Sequence, residues 1–192
     1  MFRLSNDDWL AAAEIARCSI SSAVLDRSIP DLPPYPAALS ISRGAFVTLY
    51  REGKLRGCMG QVEDCGPLAE VVARAAINAA LHDPRFPPVT SEEIAYLDIE
   101  VSVLSALEPI VPESIVAGRH GLMVTCERAR AVLLPQVATE RGWSSRRFLE
   151  ETCRKAGLPA DAWRESNLQI FGFTVDRFPP SLSSSWTGNK RP

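Results

Sequence analysis

The sequence predicts an α+β protein. Three stretches carry apolar residues at helical spacing, several others alternate with a period of two, and tight-turn signals join neighbouring strands as antiparallel hairpins. At 192 residues the chain is long enough for one ordinary domain, or for two small lobes that share a core. It is short for two independent domains with separate cores.

Ser5 to Leu25 reads as the first helix. Ser5 can cap it with Asp8 three residues on, and Trp9, Ala12, Ala13, Ala16, Ile20, Ala23 and Val24 recur on one side. Four prolines between Ile29 and Ala37 then require an extended, stiff connection. Gly44 to Arg51 is β-rich, and Glu52-Gly53 followed by Lys54 to Gly60 reads as a hairpin with Gly53 at positive φ. Strict alternation along the second strand groups Leu55, Gly57 and Met59 on one face and Arg56, Cys58 and Gly60 on the other, which puts a guanidinium beside a thiol. Two glycines in so short a strand permit close approach of a second backbone or of a ligand. Pro67 to His82 is the second helix, with Pro67 in its first position, an apolar stripe from Leu68 to Ala79, and a polar stripe of Glu70, Arg74, Asn78 and His82. Asp83-Pro84-Arg85-Phe86-Pro87-Pro88 ends it. Tyr96 to Leu104 is a strand with Leu97, Ile99, Val101 and Val103 inward and Asp98, Glu100 and Ser102 on the polar side. His120 to Cys126 and Ala131 to Leu134 form a second hairpin, Ser144 to Ala156 a third helix closed by Gly157, and Leu168 to Val175 a last strand. Ser181 to Pro192 is expected to be a poorly ordered tail.

Composition excludes several functions. Net charge is −2, with 21 basic against 23 acidic residues, so nucleic acid is an unfavoured partner. No apolar stretch reaches the length of a membrane span, and two acids near the start argue against a secretory leader. A cytoplasmic location is expected. The five cysteines, Cys18, Cys58, Cys65, Cys126 and Cys153, show no two-residue spacing and read as reduced thiols. With only His82 and His120, three-histidine zinc chemistry is excluded, and a Cys58–His120 metal pair has too few further ligands, so neither metal nor cofactor is expected.

Six segments, in order, together resemble the AMMECR-type domain family: Leu55-Arg-Gly-Cys-Met-Gly60, Asp83-Pro-Arg-Phe86, Ile99-Glu-Val-Ser-Val-Leu104, Gly118-Arg-His-Gly-Leu122, Leu133-Leu-Pro-Gln-Val-Ala138 and Cys153-Arg-Lys-Ala-Gly-Leu158. Met59 stands where the family usually has isoleucine, and Glu127 to Arg130 occupies a turn that often holds glycine. The resemblance implies one domain over residues 1–180, of two lobes, with an antiparallel sheet flanked by helices and the Arg-Gly-Cys strand lining a cleft. It also implies a pathway shared with a Memo-like protein and a radical SAM protein, and it implies no established reaction.

Each candidate residue has a chemical and a structural reading. Cys58 beside Arg56 can act as a thiolate nucleophile, or fill space in a glycine-rich strand. His120 and Glu100 can accept a proton; the alternatives are a loop histidine and a solvated sheet face, with Glu100 also placed to pair Arg56 across the sheet. Asp83 and Arg85 read as loop architecture, and His82 as a solvated helix end. Gln136, at a strand end after Pro135, can present its amide to a ligand or satisfy backbone groups. Arg56, Arg85, Arg119 and Arg128 lack the interleaved aromatics of an RNA site. Two functions follow: a binding module whose cleft is lined by Arg56, Gly57, Gly60, Asp83, Arg85 and Gln136, or an enzyme with Cys58 as nucleophile and His120 or Glu100 as base.

Overall fold

The computed structural model describes residues 3–28, 31–63, 66–127, 129–165 and 167–178. The expected tail, Cys65, Arg128 and Ile29-Pro30 of the proline-rich connection lie outside them. The fold is α+β, with four helices and two four-stranded sheets among the described residues. The chain separates into two compact units, one running to Val103 and resuming at Asp176, the other Leu104–Val175. The buried apolar residues form two clusters, one in each unit. The physical reason is that each sheet has its own helices to bury its apolar side.

In the first unit, α1 (Asn6–Ser21) starts at the expected capping box: Ser5 accepts from the Asp8 N–H and the Asp8 carboxylate accepts from the Ser5 N–H at 2.8 Å. It continues through a π-helical turn, Ser22–Asp26, which ends on Arg27 in left-handed conformation. Strands β1 (Ala45–Arg51) and β2 (Lys54–Gln61) form the hairpin, and both turn residues, Glu52 and Gly53, have positive φ, as a two-residue turn of the primed type demands. Helix α2 (Leu68–Leu81) packs on β1 and β2 through a nearly unbroken row of alanines and valines. Pro67 is its N-cap in extended conformation, one position earlier than the spacing suggests. β3 (Leu97–Leu104) alternates as its sequence suggests from Leu97 to Val101, after which Ser102, expected on the polar side, is buried as well. β8 (Val175–Phe178) completes the order β2-β1-β3-β8, and Phe178 stacks on Trp9 at 5.8 Å.

The second unit holds β4 (Glu108–Pro109), β5 (Gly121–Cys126), β6 (Ala129–Leu133), α3 (Pro135–Arg141), α4 (Ser145–Lys155) and β7 (Gln169–Phe173). The sheet order is β4-β7-β5-β6, Cys126 pairs with Ala129, and Glu127 has φ 50°. Two readings are corrected here. Pro135-Gln136 is the first turn of a helix and not a strand end, because proline's missing N–H suits the first helical position. The last strand is two strands, since the ladder breaks at Thr174 and the chain changes sheet.

Candidate functional site

A β-bulge decides what surrounds Cys58. Opposite β1, Leu49 pairs with Gly57 but Tyr50 pairs with Leu55, so Arg56 is an extra residue in β2. Directly paired residues share a face. Gly57 and Met59 therefore lie with Leu49 and Val47 on the helix side, while Leu55, Cys58 and Gly60 lie with Tyr50, Thr48 and Phe46 on the other. Strict alternation had placed Leu55 with Gly57 and Arg56 with Cys58; the inserted residue reverses the phase of everything before it.

The bulge sends Arg56 to a partner of its own. Its Nε and Nη2 each bond a different carboxylate oxygen of Glu93 at 2.9 Å, and Nη1 reaches the Pro87 carbonyl at 2.9 Å. Arg51 adds a third bond to Glu93 at 2.9 Å. Above all the Arg56 fork holds the Glu93 carboxyl down to about 2, and the same bond raises the guanidinium's own affinity for its proton. Arg56 thus ties β2 to the segment following α2, and is not the thiol's neighbour. Glu100 does not meet Arg56, because β1 stands between β2 and β3.

The cation that reaches Cys58 is Arg85, at the backbone carbonyl. The loop after α2 folds back along the outer edge of β2, where Asp83 accepts the Cys58 N–H at 2.8 Å and Arg85 Nη2 approaches the Cys58 carbonyl at 3.4 Å. Asp83 is 4% exposed and accepts three further bonds from Arg85: its N–H at 3.1 Å, Nε at 2.9 Å and Nη2 at 2.6 Å. The Arg85 bonds, foremost among the causes, keep the Asp83 carboxyl ionised far below the usual carboxylate range. The pair imitates a neighbouring strand, supplying an acceptor for the edge N–H and a donor for the edge carbonyl. The Arg85 side chain stays 54% exposed and lies against Phe86, 5.5 Å from the ring centre.

On the polar face, the Thr48 hydroxyl lies 3.2 Å from the Cys58 sulfur as its donor. Thr48 also pairs in register with Glu100, so Cys58, Thr48 and Glu100 form one row across three strands, with the outer two roughly 10 Å apart at the backbone. Burial pushes the Glu100 carboxyl above its ordinary range, and Arg177 on β8 offsets part of that rise. Thr48 and Glu93 were missed from sequence. Thr48 sits at a polar position of an alternating strand, which is a readable signal, whereas nothing in spacing singles out Glu93.

Both glycines serve packing. A Cβ on Gly57 would run into the Ala79 carbonyl of α2, and one on Gly60 into Ala45 and Phe46 of β1. The close approach that their missing side chains permit is that of the protein's own backbone. His120 and Gln136 belong to the second unit. His120 Nδ1 accepts the Val116 N–H at 3.1 Å, which places any remaining ring proton on Nε2 and leaves no free lone pair for a base. Burial, followed by Arg119, lowers its proton affinity. Gln136 Oε1 is buried on α3 with no hydrogen-bond partner among the described residues. His82, exposed at the end of α2, bonds Asn78 at 3.1 Å. Among the described residues no cluster of histidine, cysteine or carboxylate side chains could hold a metal ion, and no helix is long and apolar enough to cross a membrane.

The architecture is therefore a two-sheet α+β protein that presents a cysteine on an edge strand, braced by an Asp–Arg pair. The chain belongs to the AMMECR1 family, whose model matches residues 13–178. It is 43% identical over 183 residues to a protein of Methanothermobacter thermautotrophicus, covering 91% of this chain and 95% of that one. A protein of Methanocaldococcus jannaschii is 39% identical over 184 residues, covering 91% of each. Among solved structures, an uncharacterised protein of Pyrococcus horikoshii superposes with a TM-score of 0.78 at 39% identity, covering 89% of both chains.

Proposed function

We propose that this chain is a binding or accessory component that works with a Memo-like protein and a radical SAM protein in a modification pathway, and that the Cys58–Arg85 edge of β2 is the surface it offers them. One observation carries the choice of binding over catalysis: the thiol has a donor beside it, a cation meets the carbonyl of the same residue, and among the described residues no base bonds the sulfur. Thr48 donates to the sulfur, Arg56 is spent on Glu93, and Asp83 already accepts four bonds as a strongly held anion. Arg85, half in solvent and fixed by Asp83, is a cation presented with little left to order on binding. In a pull-down with either partner, Arg85→Ala should weaken capture about tenfold, while Cys58→Ser leaves it within about twofold. Loss on Cys58→Ser with Arg85→Ala intact would sink the proposal.

A second reading, Cys58 as a nucleophile, draws on the Thr48 hydroxyl 3.2 Å from the sulfur and on the Arg85 guanidinium held 3.4 Å from the carbonyl of the same residue. On that reading Arg85→Ala slows alkylation of Cys58 by iodoacetamide about fivefold, followed by mass spectrometry. An unchanged rate would remove its support.

A further inference from the structure

We infer that the outer edge of β2 at Gly60 receives an extended acidic peptide segment, whose backbone pairs with the Gly60 N–H and C=O and whose carboxylate meets Arg85. This rests on the binding reading above and states what kind of partner segment that edge fits. β2 is the terminal strand of its sheet, so one row of its backbone groups faces away from β1. In an antiparallel ladder these groups alternate, and the Cys58 N–H, which bonds Asp83, identifies the outward set. Gly60, two residues on, therefore also points its N–H and C=O outward.

Most of this edge is protected. The bulge and the Arg56–Glu93 tie disrupt it near the hairpin, and Asp83 with Arg85 covers it at Cys58. Gly60 is exposed, and no described residue bonds its outward groups. Next to it along the edge, Arg85 Nη2 lies against the Cys58 carbonyl, while its Nη1 donates to no described residue. A donor, an acceptor and a cation thus follow one another along the strand. Extended peptide matches that order, because its own C=O and N–H repeat along one side at the same spacing and a nearby side chain can bring a carboxylate to the guanidinium. A helix has no free backbone groups to offer, and a chain of net charge −2 gives nucleic acid no supporting field.

The test is amide NMR of the ¹⁵N-labelled full chain with a short synthetic peptide of alternating threonine and valine around one glutamate. Binding should shift the Gly60 amide and slow its hydrogen exchange about tenfold, with the Cys58 amide, already bonded to Asp83, little changed. Arg85→Ala should weaken the peptide about tenfold, and N-methylation of its pairing edge should abolish binding. An unmoved Gly60 amide at millimolar peptide, or equal binding by the N-methylated peptide, overturns the inference. The pull-downs are separate: capture of the partners by a chain that ignores the peptide refutes this edge inference alone, and peptide binding without capture refutes only the partner reading.

Discussion

Replacing Gly57 by alanine is expected to lower folding stability by about 3 kcal/mol, the upper end of the cost of overfilling a packed core. The new methyl would occupy the space of the Ala79 carbonyl, and neither side can yield cheaply because both are backbone. Moving α2 would disturb its buried row from Leu68 to Ala80, and moving β2 would strain the ladder to β1. Urea denaturation would show the loss as a lower midpoint at unchanged slope. Gly53→Ala is the comparison: nothing lies near its added methyl, and only its φ of 71° opposes the change, so about 1 kcal/mol is expected. Equal stability of Gly57→Ala and the parent would mean that α2 does not rest on β2 at this point.

Asp83→Ala is the second large effect, at about 3 kcal/mol. Most of it comes from leaving the part-buried Cys58 edge N–H without its acceptor, a loss that reaches about 1–3 kcal/mol where water cannot take the acceptor's place. The ion pair with half-exposed Arg85 adds no more than about 1 kcal/mol. Asp83→Asn, which keeps an oxygen for the Cys58 N–H and gives up the charge, should lose about half as much; a loss equal to that of Asp83→Ala would mean that charge, and not edge satisfaction, is what Asp83 supplies. The pair also shapes acid stability. The Asp83 and Glu93 carboxyls both bind protons less readily folded than unfolded, so their stabilisation is complete above the ordinary carboxyl range and is lost as pH falls from about 4 toward 2. Urea midpoints over that interval should fall more steeply for the parent than for Asp83→Ala, which retains only the Glu93 part.

Periodicity and turn chemistry carry most of the fold. The capping box at Ser5, the Glu52-Gly53 turn, the alternation of Leu97 to Val101 and the Gly157 helix stop all reappear in the structure, because each depends on residues a few positions apart. Misses occurred where one residue changes the count or the chain changes direction. Arg56 as a bulge, Thr174 as a break between sheets and Pro135 as a helix start leave only weak local marks.

The candidate site divides along the same line. That Cys58 lies on a glycine-containing strand, and that the Asp83-Pro-Arg segment ends a helix, follow from neighbouring residues alone. That Arg85 and not Arg56 is the arginine that reaches Cys58, that Glu93 claims Arg56, and that Thr48 separates Cys58 from Glu100 were decided by tertiary structure. Hydrogen-bond partners 25 to 42 residues apart are selected by strand register and by which backbone edge lies open, and neither quantity is written in local spacing.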